Sequence, residues 1–267
     1  MSGRFGLKKH RLSFRRDCGI TKDLRAQAVY TVAKKTTKKS KQTESISRRL
    51  WRYLMYFGAA ILALFAAIIQ VYRFAPVWTT PYMMSERQII GDVAYEWVAA
   101  PEMSPDILTA AVAAEDANYC LHWGFDMRAI RGAIADGGTR GASTITQQVA
   151  KNAFLWHGRS WVRKAIEAIL TPTLEIAWSK RRILEIYVNI AEFDSGVFGV
   201  EAAANHYFGI GADAVSPYEA ALLMAVLPDP KNRSARDPSE FVRKRAMSIM
   251  DGAALIRKDG RASCFLD

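Results

Sequence analysis

Residues 53–72 read YLMYFGAAILALFAAIIQVY, a run of 20 residues that contains no charged side chain. This length is sufficient for one helix to cross the hydrocarbon core of a bilayer. Aromatic rings flank the run at Trp51 and Tyr72, as is typical of residues at the level of the lipid headgroups. A cleaved signal peptide is disfavoured because the run is long and begins far into the chain. We therefore expect an uncleaved membrane anchor over residues 51–73.

The positive charge of the chain is concentrated before this anchor. The 267 residues have a net charge of +11, but residues 1–50 alone contain 15 lysines and arginines against three acidic residues. Because basic flanks remain on the cytoplasmic side, residues 1–50 are expected to form a cytoplasmic tail. Residues 74–267 should then lie outside the cytoplasmic (inner) membrane, in the periplasm or its equivalent. The nearly neutral outer part argues against nucleic acid as a partner.

The basic tail has two interpretations. It could be a solvated topology signal that also favours anionic lipids, or an arm that docks onto a partner protein. We favour the topology signal, because nothing in the tail points to a particular partner.

After the anchor, we expect a linker and irregular lead-in over residues 74–100, because Pro76, Pro81 and Gly91 interrupt it and helical periodicity is weak. The outer domain, residues 101–267, should be mainly α-helical. Helix start signals are serines followed by helix-forming residues, at Ser104, Ser160, Ser179 and Ser216, and a last helix is expected from Asp237–Pro238 to Gly252.

The cysteines and histidines give no sign of a metal site. Cys18 falls in the cytoplasmic tail, whereas Cys120 and Cys264 could either pair outside or remain free. The four histidines are scattered, and no Cys or His pair has the spacing of a zinc site, so we expect no structural zinc.

The first helix of the outer domain carries a carboxylate on its apolar face. Leu108, Ala111 and Val112 share that face with Glu115 at spacings of three and four residues. A carboxylate in such a place must be paired, protonated or exposed to a cleft. A structural, ion-paired glutamate is the alternative, but the polar segment EDANYCLHWGFD, which begins with Glu115 and Asp116, favours a cleft.

A second polar segment, GASTITQQVAKN, follows a glycine-rich stretch. Thr144 and Gln147 form a capping box that predicts a helix start, and Gln148 and Lys151 continue the same polar side. Together with Ser143, this end of a helix suits an anion or a sugar. A solvated amphipathic helix is the alternative.

A third segment places cations around another carboxylate. Arg159, Arg163 and Glu167 recur every four residues, and Lys164 lies beside them. By itself this would be an ordinary surface ion-pair ladder. Two carboxylates and several cations on consecutive helices instead suit transfer of a sugar from a pyrophosphate, because a carboxylate can move the proton while cations stabilise the leaving group. A donor carried on a membrane lipid would also explain the anchor.

Five segments, in order over residues 87–230, resemble the motifs of the peptidoglycan glycosyltransferases, the family shared by bifunctional penicillin-binding proteins and monofunctional biosynthetic transglycosylases. The segments are EDANYCLHWGFD, GASTITQQVAKN, RKAIE, KRRILEIYVN and GVFGVEAAANHYFG. Three departures are mild: Tyr119 stands where the family usually has Phe, Ala142 where it has Gly, and Val188 where Leu is common. Ala142 leaves in doubt only a backbone conformation that needs glycine.

The resemblance implies a lysozyme-like α-helical catalytic domain with a small membrane-proximal lobe, preceded by one transmembrane helix. It implies polymerisation of lipid II into β-1,4 glycan strands with inversion and release of undecaprenyl pyrophosphate. Glu115 would be the general base and Glu167 the second catalytic carboxylate. The residues implied to bind substrate are Asp116, Ser143, Gln147, Gln148, Lys151, Arg159, Arg163 and Lys164.

The resemblance also bears on cofactors and partners. No cofactor is required, although Mg²⁺ is sometimes implicated in the family. The partners would be lipid II, the growing glycan chain, membrane lipid and proteins of cell-wall synthesis or division. The chain ends about 40 residues after the last motif, which leaves no room for a transpeptidase domain, so we expect the monofunctional form.

Three other classes of protein remain alternatives. A lysozyme-like hydrolase would use Glu115 as a general acid and would release glycan fragments without needing Lys151 or Arg159. A catalytically inactive scaffold would lose nothing when Glu115 is neutralised. A membrane protein that binds nucleic acid through residues 1–50 would show strongly salt-dependent binding by that tail.

Overall fold

The computed structural model describes residues 20–137, 141–158 and 160–266, with side chains described from residue 46 onward. Its described part contains eleven α-helices and three short strands. The helices are α1 Ile20–Tyr72, α2 Pro81–Ile90, α3 Pro105–Glu115, α4 Met127–Ala135, α5 Ile145–Phe154, α6 Trp161–Ala177, α7 Lys180–Ile190, α8 Val200–Phe208, α9 Pro217–Val226, α10 Glu240–Lys258 and α11 Ser263–Leu266. The strands are β1 Ala94–Tyr95, β2 Glu192–Asp194 and β3 Val197–Phe198.

The chain divides into two compact units, Met1–Phe65 and Ala66–Asp267. In the described residues one helical stretch, Ile46–Tyr72, is long and apolar enough to cross a membrane. Large apolar side chains along it, such as Leu54 and Phe57, are exposed, as expected of a helix that contacts lipid. The stretch agrees with the predicted single membrane helix.

Helix α9 lies at the centre of the C-terminal unit. Every residue from Ala220 to Val226 is buried, and α3 and α10 pack against it. A helix that is apolar on all sides must be enclosed by its neighbours. Helices α3 and α10 also pack closely against each other. A Cβ added at Gly252 of α10 would lie 3.4 Å from the Cβ of Ala113 in α3.

A second group of helices consists of α5, α6 and α7, with α5 packed against both others. Thr144 and Gln147 form the predicted capping box at the start of α5. The side chains of Ser160 and Ser179 accept the backbone N–H groups of Arg163 and Arg182 and thereby cap α6 and α7. The mainly α-helical fold predicted from these signals is confirmed.

A small sheet joins the lead-in to the segment after α7. Its strand order is β1-β3-β2, with β1 parallel and β2 antiparallel to β3. The side-chain amide of Asn189 donates to the carbonyl of Val98 and accepts from its N–H, both at 2.9 Å. Asn189 therefore satisfies both backbone hydrogen-bonding groups of Val98.

Two expectations about local structure are wrong. The segment after the anchor is not irregular throughout, because α2 begins at Pro81, with Thr80 as its N-cap. A proline at the first helical position supports a helix start rather than breaking the helix. The helix expected to be the last, α10, is capped by Ser239 and continues to Lys258, because Gly252 is a packing contact with α3 and not a C-cap, and α11 follows it.

The C-terminus is fixed to the loop that follows α3 by a disulfide. Cys120 and Cys264 are bonded across 144 residues, with their Cα atoms 5.7 Å apart. Phe265 beside this bond is almost fully buried, and its ring lies 6.3 Å from that of Tyr119. The pairing that the sequence left open is therefore formed in the structure.

Candidate active site

Glu115 is the last residue of α3, and its side chain is only 16% exposed. Its Oε2 accepts a hydrogen bond of 2.8 Å from the amide of Gln148. On its other side, the guanidinium of Arg245 on α10 lies 3.9 Å from Oε1. These two contacts hold the carboxylate in one orientation.

Asp116 explains why α5 meets the end of α3. Its buried carboxylate accepts the backbone N–H of Ile145 at 3.1 Å and lies 2.8 Å from Nε2 of His122. The first turn of α5 is thereby fixed against the residue that follows Glu115. Gln148, one turn further along α5, is consequently within reach of the Glu115 carboxylate.

Glu115 lines a cleft of about 470 Å³. The same cleft is lined by Gln148 and Lys151 of α5 and by Tyr187 of α7. Burial lowers the pKa of Lys151, the charges of Arg163 and Lys164 add to the shift, and Glu167 and Glu115 oppose it. An ammonium that is partly desolvated attracts an anion more strongly than one surrounded by water.

A smaller recess of about 220 Å³ adjoins the cleft, since Gln148 and Lys151 line both. Within it Glu167 is buried and accepts from Nη1 of Arg163 at 3.2 Å and from the Lys164 ammonium. The Glu167 carboxylate thus orients two cations. Because Lys151 also lines the recess, its three positive side chains outnumber the one carboxylate. Such a place suits a phosphate group.

The structure brings together most of the residues that the sequence singled out. Glu115, Gln148 and Lys151 line the cleft, and the recess is lined by Ser143, Gln147, Gln148, Lys151, Arg163, Lys164 and Glu167. Asp116 is an exception: it is buried under α5 and lines neither cavity. Arg159 lies outside the described residues.

Sequence reasoning missed part of the cleft. Arg245 was not singled out, because only the packing of α10 against α3 shows that it faces Glu115. Tyr187, which lies within the segment KRRILEIYVN, was not among the predicted site residues, yet it lines the cleft. The wall that carries Tyr82, Glu192 and Lys231 comes from three separate segments with no common motif, so the sequence held no signal for it.

The group of possible metal ligands found in the described part of the chain is poorly suited to a divalent cation such as Mg²⁺. Among the described residues, Asp116, His122 and Asp126 present ligand atoms within 4.8 Å of one another. However, Asp126 caps α4 by accepting two backbone N–H groups at 2.9 Å and also accepts from Asn118, and Asp116 accepts from Ile145. Their oxygens are used in structural hydrogen bonds, so this group does not fit Mg²⁺.

Comparison with known proteins identifies the family. The family model described as transglycosylase matches residues 84–254. The chain belongs to the transglycosylase family. This match covers the recess and every residue that lines the cleft except Tyr82. It confirms the family predicted from the five motifs and the class of enzyme, a glycosyltransferase.

Curated transglycosylases resemble the chain over most of its length. A biosynthetic peptidoglycan transglycosylase of Jannaschia sp. (strain CCS1) is 52% identical over 233 residues, which is 87% of this chain and 98% of that protein. One of Mannheimia succiniciproducens is 45% identical over 79% of this chain and 89% of its own length. One of Yersinia pseudotuberculosis is 46% identical over 76% and 91%.

Proposed function

We propose that this transglycosylase polymerises lipid II into β-1,4 glycan strands and releases undecaprenyl pyrophosphate. The observation that carries the proposal is the adjacency of the two cavities: the carboxylate of Glu115 faces one, cations line the other, and Gln148 and Lys151 belong to both. A base and an anion site in adjoining cavities suit transfer of a glycosyl group from a phosphate leaving group.

In the proposed reaction Glu115 is the general base. Its carboxylate takes the proton of the 4-hydroxyl of the acceptor sugar, and the hydroxyl oxygen attacks the anomeric carbon of the donor. The bond from that carbon to the phosphate oxygen breaks, and the pyrophosphate leaves with the electron pair. Attack from the opposite face inverts the anomeric centre. Gln148 and Arg245 hold the Glu115 carboxylate in a fixed orientation.

Lys151, Arg163 and Lys164 would bind the pyrophosphate of the donor and stabilise the negative charge that develops as it leaves. Glu167 holds the last two cations and is proposed to act through them. Arg159 would be a fourth cation of this site.

The remaining predicted residues are assigned smaller roles. Ser143 and Gln147 line the recess and would contact the donor. Asp116 is proposed as a positioning residue that aligns α3 with α5, in place of the substrate contact implied by the resemblance, because its carboxylate is already hydrogen-bonded to Ile145.

We also propose the membrane arrangement that the sequence suggests, with residues 1–50 cytoplasmic, residues 51–73 as the anchor and the catalytic domain outside. The Cys120–Cys264 disulfide supports this side of the membrane, because such bonds persist in oxidising compartments. The catalytic domain, predicted over residues 101–267, is proposed to include α2 of the 74–100 segment as well, because Tyr82 of α2 lines the cleft.

The test is an assay in detergent with labelled lipid II, in which glycan polymer is separated by gel. We expect polymer from the wild type and a loss of about 10²-fold or more in rate for Lys151→Ala. Lys244→Ala is the matched control, because Lys244 pairs with Glu240 on the exposed side of α10. Release of fragments from purified sacculi without polymer from lipid II would refute the proposal and favour the hydrolase.

A further inference from the structure

The loop that follows α9 forms one wall of the cleft that Glu115 lines. Six consecutive residues, 227–232, contribute to that wall. Within the loop, Asn232 donates to the side chain of Asp229 at 2.8 Å, a local turn contact that does not reach the rest of the cleft. The position of this wall therefore depends on contacts between the loop and other elements.

Lys231 makes such contacts with two elements. Its Nζ lies 2.8 Å from Oε2 of Glu86 on α2 and 3.6 Å from Oε1 of Glu192 on β2. Both carboxylates are buried, with residue exposures of 6% and 8%. Two buried carboxylates from distant parts of the chain thus converge on one ammonium, which belongs to the loop.

The contacts extend to further residues that line the cleft. Glu192 accepts the hydroxyl of Tyr82 and the N–H of Gly196. The ring of Tyr82 stacks on that of His157 with centroids 3.5 Å apart. Tyr82, His157, Glu192 and Lys231 all line the same cleft as Glu115, so Lys231 belongs to a polar cluster that joins several of the elements lining the cleft.

Lys231 also sets the charge of this half of the cleft. Burial raises the pKa of Glu192 and the charge of Glu86 adds to the shift, while Tyr82, Gly196 and Lys231 lower it. Without the ammonium, two carboxylates would face each other beside a cleft that, under the proposed function, admits a substrate bearing pyrophosphate. Uncompensated buried charge both separates the elements that carry it and repels an anion.

We propose that Lys231 is a positioning residue for the glycosyl transfer: by binding Glu86 and Glu192 it holds the 227–232 loop in place as part of the cleft that Glu115 lines, and it keeps this part of the cleft from repelling lipid II. This role deepens the proposed function and rests on it. Lys231 acts on how well the substrate is bound, and the proton transfer remains with Glu115.

The test compares four variants by initial rate against lipid II concentration. For Lys231→Met we expect KM to rise about tenfold or more with kcat changed less than about threefold, because uniform binding is lost and the base is intact. Lys231→Arg should keep KM within about threefold of the wild type. Lys244→Met is the matched control, since it removes an exposed lysine whose partner is also exposed.

The fourth variant separates the proposed role from simple damage to the fold. In Glu86→Gln/Glu192→Gln/Lys231→Met all three charges are removed together, so KM should return toward the wild-type value if unpaired carboxylates cause the defect. This comparison remains informative if Lys231→Met alone does not fold. A wild-type KM for Lys231→Met, or a triple variant whose KM stays as high as that of Lys231→Met, overturns the inference. Absence of polymer from the wild type would instead overturn the proposed function.

Discussion

Removal of the Cys120–Cys264 disulfide should destabilise the catalytic domain strongly. The bond closes a loop of 144 residues. In the chain-entropy model, a loop of this length restricts the unfolded chain enough to contribute about 5 kcal/mol to the free energy of unfolding at 25 °C. For a domain of roughly 200 residues this corresponds to a fall of about 10–15 °C in Tm.

The perturbation is the double variant Cys120→Ser/Cys264→Ser, which leaves no new free thiol in the domain. Thermal unfolding would be followed by circular dichroism in detergent for this variant, for the wild type and for the wild type in dithiothreitol. The reduced wild type should have the same Tm as the double variant. Cys18→Ser is the control and should melt with the oxidised wild type, because Cys18 is not part of the bond. A double variant that melts within about 3 °C of the oxidised wild type would refute the reasoning.

Three further predictions concern single residues. Lys151→Met should abolish polymerisation yet raise the free energy of unfolding at pH 7 by about 1 kcal/mol, measured by urea denaturation, because burial disfavours the ammonium. Gly199→Ala should lower the free energy of unfolding by at least about 2 kcal/mol, since φ is +82° and the new Cβ would lie 2.7 Å from the carbonyl oxygen of Asn189. Gly209→Ala should lower it less, because the space around Gly209 is open. Partial burial and the charge of Lys151 lower the pKa of His157 from 6.5 to about 4. Between these two pH values His157 is protonated in the unfolded chain but not in the folded protein. The free energy of unfolding therefore falls as the pH is lowered from 6.5 to about 4, and His157→Gln should show a shallower decline in Tm over this range.

The helix starts were predictable because capping is local. Thr144 and Gln147 satisfy each other within one turn, so their spacing in the sequence contains the whole interaction. The same holds for Ser160 and Ser179, whose side chains accept N–H groups three residues later. The polar side of α5, with Gln148 and Lys151, followed from helical spacing and does line both cavities.

The contacts that complete the site were not predictable, because they join residues far apart in sequence. The motif suggested that Asp116 contacts the substrate, but its buried carboxylate accepts the backbone N–H of Ile145 at the start of α5. Lys231 meets Glu86 across 145 residues, and neither position stands out in its own segment. Pro81 was interpreted as interrupting helical structure. The effect of a proline depends on whether it lies inside a helix or at its first position, and here the cap formed by Thr80 shows that α2 begins at Pro81.

The most direct test of the central claim is the rate of lipid II polymerisation by Glu115→Gln. Glutamine keeps the size of the side chain and can still accept a hydrogen bond from Gln148, but it cannot take up a proton. The account predicts a loss of about 10³-fold or more in rate, with Tm within about 3 °C of the wild type. A folded Glu115→Gln protein that polymerises lipid II within tenfold of the wild-type rate would contradict the assignment of Glu115 as the base.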